Sequence, residues 1–219
     1  MNLLSETEGE TAVSAAVSFI TDAVTGGRAA AVGRAAAVGR AAAGDRAAAG
    51  SRAQTAAGSP VVFPEVFSEP RGVFVTLTEN GELRGCIGYP YPVLPLKAAL
   101  KDAAYQAALS DPRFYPVRAE ELPFLDVEVT ILSLPEQLTV PANLRPSAIE
   151  VGKHGLIAES HGMRGLLLPQ VAAEWGWDAA EFLGQTCIKA GLPADEWQKE
   201  SCAVSVFEGQ IFRGVHPWQ

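Results

Sequence analysis

Leu83-Arg84-Gly85-Cys86-Ile87-Gly88 puts an arginine, a thiol and two glycines within six residues. A guanidinium offers five donors in a fixed fork that suits a carboxylate or phosphate. A cysteine is a nucleophile once it is a thiolate. Glycine inside a strand loses side-chain packing and marks close approach of a ligand or of another backbone. The combination reads as an anion site with a nucleophile beside it: Arg84 to bind the charge, Gly85 and Gly88 to admit it, Cys86 to attack or to donate a thiol. The alternative is a glycine bulge with a structural cysteine and a surface arginine.

Two distant residues fit the same pocket. Gln170 follows Pro169 at the expected start of a helix, where unpaired N–H groups attract negative charge. Lys189 stands at the expected end of the next helix, a position that equally suits a surface cation. Side chains two apart in a strand point the same way, so Arg84 and Cys86 are expected on one face. Arg84, Cys86, Gln170 and Lys189 are then expected to converge, with Arg84 or Lys189 favouring the thiolate. No Cys–His pair can be assigned from the sequence. Cys187 falls on the apolar stripe of a helix and Cys202 at the start of a strand; both are expected to be buried and inert. There is no Gly-x-Gly-x-x-Gly, phosphate loop, Cys-x-x-Cys or His-Glu-x-x-His. No cofactor and no metal site is expected.

The elements that must position these residues are legible in order. Residues 5–24 read as an amphipathic helix opened by a Ser5/Glu8 capping box, with Val13, Ala16, Val17, Ile20 and Val24 on one face. Residues 27–52 repeat Gly-Arg-Ala-Ala-Ala-Val with variations, and arginines recur every six residues from Arg28 to Arg52. Six residues turn a helix by about 600°, so no apolar stripe forms; the segment reads as a mobile linker or expanded loop, an insertion at about 27–58 in a single domain of 1–219. Residues 73–78 and 83–88 make a hairpin about Asn80-Gly81. A helix over 95–109 ends at Asp111-Pro112, where Arg113 either pairs with Asp111 or points into a cleft. Glu120-Glu121 reads as a solvated turn. Residues 124–133 alternate as a half-buried strand, with Asp126 and Glu128 on its wet side. A second hairpin is expected from 148–152 and 155–159, with His154 on the surface. Then come a short strand at Gly165–Leu168, a helix over 169–175, a helix over 179–190 capped by Asp178, and a closing strand at 202–212. Strands without regular crossovers imply an α+β fold, an antiparallel or mixed sheet with flanking helices.

Composition narrows the class. With 48% hydrophobic and 19% charged residues, the chain can bury a core. No apolar run reaches the roughly 18–20 residues needed to span a bilayer. The first residues lack the basic start of a signal peptide, and three widely spaced cysteines suit a reducing compartment, so the cytoplasm is expected. A net charge of −8 disfavours a sequence-independent polyanion binder but leaves room for a local basic pocket.

Four motifs occur in order: Arg84-Gly85-Cys86-Ile87-Gly88, Asp111-Pro112-Arg113-Phe114, Gly165-Leu166-Leu167-Leu168-Pro169-Gln170-Val171, and Phe182-Leu183 through Thr186-Cys187-Ile188-Lys189-Ala190-Gly191-Leu192. Together they resemble the AMMECR-one domain over about residues 6–26 and 60–213. The resemblance implies two unequal lobes with a cleft between them. Microbial members resemble the A component of the AmmeMemoRadiSam system, whose other parts are a Memo-like protein and a radical S-adenosylmethionine enzyme; these are the partners it implies. No settled reaction comes with the family. Three functions are therefore carried forward, in this order: a subunit or adaptor of a modification system holding an anionic small molecule or nucleotide-like ligand, a stand-alone enzyme using Cys86, and a nucleic-acid-binding module. The oligomeric state stays open.

Overall fold

The structure, a computed structural model, describes residues 3–35 and 61–219. Helix α1 spans Glu6–Ala35. A hairpin of β1 (Val73–Glu79) and β2 (Glu82–Tyr89) follows, then α2 (Leu96–Leu109) and β3 (Leu125–Leu132). The two-residue β4 (Glu136–Gln137) precedes β5 (His154–Ser160) and β6 (Met163–Leu167). The chain closes with α3 (Pro169–Trp175), α4 (Ala179–Lys189) and β7 (Ala203–Gly214). All strand pairs are antiparallel and form one curled sheet in the order β2-β1-β3-β7-β5-β6, with β4 also on β7.

β7 joins two lobes. Its C-terminal half, Gly209–Gly214, pairs with β3, and its N-terminal half pairs with β4 and β5. The first lobe packs α1 and α2 on one face of β1, β2 and β3. Val73, Val75 and Leu77 alternate inward there against Ala99, Ala103 and Ala107 of α2 and Ala12, Ala16 and Ile20 of α1, all at most 2% exposed. The hydroxyl of Tyr89 on β2 donates to Asp102 of α2 and fixes helix to strand. The second lobe packs α3 and α4 on β5 and β6 around Phe182, Leu183, Leu156 and Val204. A small third cluster, Leu132, Ile157 and Phe207 with Phe74, Tyr91, Leu166 and Leu168 against them, fills the junction.

Most expected elements stand where the pattern put them. The Ser5/Glu8 box forms, with the Ser5 N–H donating to Glu8 Oε2 at 2.7 Å. Asn80 and Gly81 take φ of 53° and 82°, the left-handed pair that a two-residue hairpin turn needs. Asp178 caps α4 through a complete capping box with Glu181. Two expectations need correction. The first helix does not stop at residue 24: its backbone runs through Gly26, Gly27 and Gly33 to Ala35, because alanine and arginine favour helix enough to carry three glycines. The part of the repeat from residue 36 onward lies outside the described residues. The second hairpin is also displaced. Residues 142–148 form a 3₁₀ turn, and β5 pairs with β6 about His161 and Gly162, both at positive φ. Gly155 is a strand glycine rather than a turn glycine: a Cβ there would lie 2.2 Å from the Phe207 ring.

Gly85 has the same character. A Cβ at this position would lie 2.2 Å from the carbonyl oxygen of Ala107, so β2 sits directly on the backbone of α2. Gly85→Ala is therefore expected to destabilise the fold by about 1–3 kcal/mol, because backbone rather than a flexible side chain must move. Gly26→Ala, where nothing among the described residues lies within 4 Å, is expected to stabilise it by about 0.5–1 kcal/mol. Urea denaturation of the two variants against the parent measures both.

Candidate functional site

β2 is an edge strand, so residues along its outer side present backbone N–H and C=O groups with no neighbouring strand. At Cys86 both groups are taken by Asp111 and Arg113. The Cys86 N–H donates to Asp111 Oδ2 at 2.9 Å, and Arg113 Nη2 donates to the Cys86 carbonyl at 3.1 Å. Asp111 also receives the Arg113 N–H at 3.1 Å, its Nε at 3.0 Å and its Nη2 at 2.7 Å. The Asp111 side chain is 2% exposed. The Arg113 hydrogen bonds, with the Cys86 N–H assisting, hold its carboxyl well below the usual carboxylate range, while the same bonds raise Arg113. Both readings of Arg113 hold: it pairs with Asp111, closing a sheet edge, and its side chain also lines a cavity.

Arg84 and Cys86 do not share a face. The β1–β2 register slips between Leu77 and Thr78: Gly85 stands opposite Leu77 but Leu83 stands opposite Thr78. Arg84 is the extra residue of a β-bulge, which breaks the two-residue alternation on which the expectation rested. Its guanidinium runs to the segment after α2, where Nε and Nη2 both reach Glu121 Oε1 at 3.0 Å. The Cys86 thiol lies on the other face, 3.2 Å from the hydroxyl of Thr76. Glu121 is not a solvated turn residue: it is 17% exposed, and its Oε2 accepts the Arg118 N–H at 2.8 Å. Burial pushes its carboxyl up, but the bonds from Arg84 and Arg118 outweigh that and leave it below the ordinary value.

The three arginines meet. Arg84, Arg113 and Arg118 line a cavity of about 580 Å³ with Phe114, Tyr115 and, among the described residues, a single acid, Glu121. That volume lies in the range of small-molecule sites. Each guanidinium keeps Nη1 free of the hydrogen bonds described above, so the cavity presents forked donors and a net positive lining within an acidic chain. Asp111, Arg113, Arg118 and Glu121 carry much of this site. The sequence signal for them was the short Asp-Pro-Arg and the Arg118/Glu121 spacing of three, which reads equally as surface pairing.

The remaining expected residues fall elsewhere. Gly85 and Gly88 do not leave room for a ligand: their Cβ positions are occupied by the Ala107 carbonyl and by the Phe74 ring. Gln170 is exposed at the start of the seven-residue α3 and lines a separate cavity of about 350 Å³ with Glu128, Glu208 and Lys153, surroundings that do not favour an anion. Lys189 is exposed at the end of α4 and lines a third recess, with Phe74 and Arg164. By register, Cys86 lies opposite Thr76 and Thr76 opposite Glu128, so the thiol, Gln170 and Lys189 look onto the face away from α2 while Arg84 looks the other way. The four residues do not form one pocket. None of the three histidines meets Cys86: His154 accepts from the Glu150 N–H, His161 pairs with Glu196 and His216 with Asp126.

Comparison with known proteins decides the family. The AMMECR1 family model matches residues 40–212. The chain belongs to the AMMECR1 family. The match leaves α1 outside it. Protein Mbar_A1807 of Methanosarcina barkeri is 58% identical over 152 residues, covering 69% of this chain and 75% of that one. Protein MJ0810 of Methanocaldococcus jannaschii is 49% identical over 168 residues, covering 74% and 83%. The crystal structure of the uncharacterized protein PH0010 from Pyrococcus horikoshii superposes with a TM-score of 0.67 at 38% identity, covering 96% of this chain and 93% of that one. The α+β fold is thus shared with that solved structure. Among the described residues no helix is long and apolar enough to cross a membrane.

The clamp has a pH signature. A carboxyl depressed on folding stabilises the native state above its unfolded value near 4, and the contribution is lost as pH falls below that toward the folded value. Stability of the parent should therefore fall more steeply between about pH 5 and pH 2 than that of Asp111→Asn, as urea midpoints across pH will show. The thiols should also separate. Burial pushes Cys187 up to about 11 and raises Cys202, and both are fully buried, whereas Cys86 is half-buried. A disulfide reagent on native protein should label Cys86 first; preferential labelling of Cys187 would reverse the assignment.

Proposed function

We propose that this AMMECR1 chain is a subunit or adaptor of a modification system and holds an anionic small molecule or nucleotide-like ligand. The observation that carries this reading is the meeting of Arg84, Arg113 and Arg118 on one cavity. Three guanidinium groups against the two carboxylates of Glu121 and Asp111 leave a net positive charge, which favours an anionic ligand such as a phosphate ester. Exposed Tyr115 and neighbouring Phe114 give a flat group somewhere to rest. The cation site lies in the first lobe, behind β2, rather than between the lobes. The partners in this reading are a Memo-like protein and a radical S-adenosylmethionine enzyme, which would supply the chemistry.

The stand-alone enzyme ranks below it for two geometric reasons. The bulge turns Arg84 away from the thiol, and of the cavity arginines it is Arg113, already paired with Asp111, that stands near the sulfur. No histidine stands ready to take its proton.

Arg118 is the variant of choice, because it is 77% exposed and its side chain bonds, among the described residues, only to Glu121. Surface changes of this kind shift stability by about 0.5 kcal/mol or less. Calorimetric titration with pyrophosphate and with adenosine monophosphate should give saturable binding that Arg118→Ala weakens by about tenfold. Absence of binding by both ligands, or binding unchanged in Arg118→Ala, would remove the arginine cavity as the site. Native mass spectrometry of protein taken from its own cells would then identify any retained ligand or partner.

A further inference from the structure

The junction between the lobes carries a groove of about 390 Å³ that shares no residue with the arginine cavity. Phe74 of β1 and Tyr91 form one wall, and Leu166, Leu168 and Val171 of the second lobe form the other. Two cations stand on it. The Arg164 guanidinium lies over the Tyr91 ring, 4.6 Å from its centre, and Lys189 ends α4. Among the described residues no acidic side chain lines the groove. Lys189 has no hydrogen-bond or ion-pair partner among the described residues, and Arg164 has only Glu159, at 3.4 Å, in a pair about half exposed on both sides.

The walls are held in place by contacts that leave no slack. A Cβ on Gly165 would lie 2.3 Å from the backbone nitrogen of Ala190, so β6 presses on the end of α4 and fixes Lys189 beside the groove. A Cβ on Gly88 would lie 2.4 Å from the Phe74 ring, so that ring lies flat over β2. A preformed recess with flat aromatic and branched apolar walls accepts a flat apolar body. Two cations without a lining acid demand a negative charge on the same molecule.

We infer that this groove binds a small aromatic anion, its ring between Phe74 and Leu166 and its charged group on Lys189 and Arg164. Glu159 is displaced from Arg164 as the anion arrives, at little cost because that pair is solvated. The site is independent of the arginine cavity and stands or falls separately from the function proposed for it.

Fluorescence titration of the full chain with anilinonaphthalene sulfonate, an aromatic anion, tests this. Uncharged phenylnaphthylamine serves as its control. The sulfonate should bind saturably at one site, more tightly than the amine. The double variant Arg164→Glu, Lys189→Glu should weaken the sulfonate by at least about tenfold and leave the amine unchanged. Lys189→Gln alone, a milder change should the double variant fold poorly, should weaken it by about threefold. Arg118→Ala should have no effect. Four outcomes would overturn the inference: no saturable binding, equal affinity for both dyes, binding indifferent to Lys189→Gln, or binding lost in Arg118→Ala.

Discussion

The hydrogen bonds from Asp111 and Arg113 to the backbone of Cys86 are the constraint on which the first lobe depends. An edge strand with free N–H and C=O groups invites pairing with another chain. Here one buried carboxylate and one guanidinium take the place of the missing strand at Cys86. The carboxylate stays charged because Arg113 reaches it by three donors. With its edge fixed, β2 can lie on α2 with only a glycine between them, and the turn after α2 can bring Arg118 and Glu121 up to Arg84. The arginine cavity is thus assembled as a by-product of closing the sheet.

The bulge at Arg84 decides what kind of chemistry the motif can do. With regular alternation, guanidinium and thiol would share a face and a substrate anion would sit beside the sulfur. One extra residue turns the arginine toward the helical side and leaves the thiol with Thr76. Arg84 and the thiol are thereby parted, and Arg113 is the cation left near the sulfur.

Much of the fold could be read from the chain because its signals are local. The Ser5/Glu8 and Asp178/Glu181 caps, the Asn80-Gly81 turn and the alanine face of α2 each act within a few residues. The displaced hairpin shows where this ends: Lys153-His154-Gly155 has turn-like composition, but Gly155 answers to Phe207, fifty-two residues on, and His161-Gly162 supplies the left-handed bend instead. The site suffered more. A single register slip is invisible in sequence and moved Arg84 to the opposite face. Glu121 looked solvated because the two arginines that bury it are not its helical neighbours alone: Arg84 comes from thirty-seven residues away. Gln170 and Lys189 were placed correctly at helix ends, but helix ends say nothing of what stands across from them.

β7 belongs to both lobes at once, laddered to β3 along one half and to β5 along the other. Parting the lobes would therefore mean tearing backbone hydrogen bonds on a shared strand rather than bending a linker. Amide protons along β7 should exchange with solvent only when the whole molecule unfolds, and the two hydrophobic clusters should melt together as one cooperative unit. A protein built this way meets its ligands and partners as a rigid body, and selectivity has to come from the shape it already has.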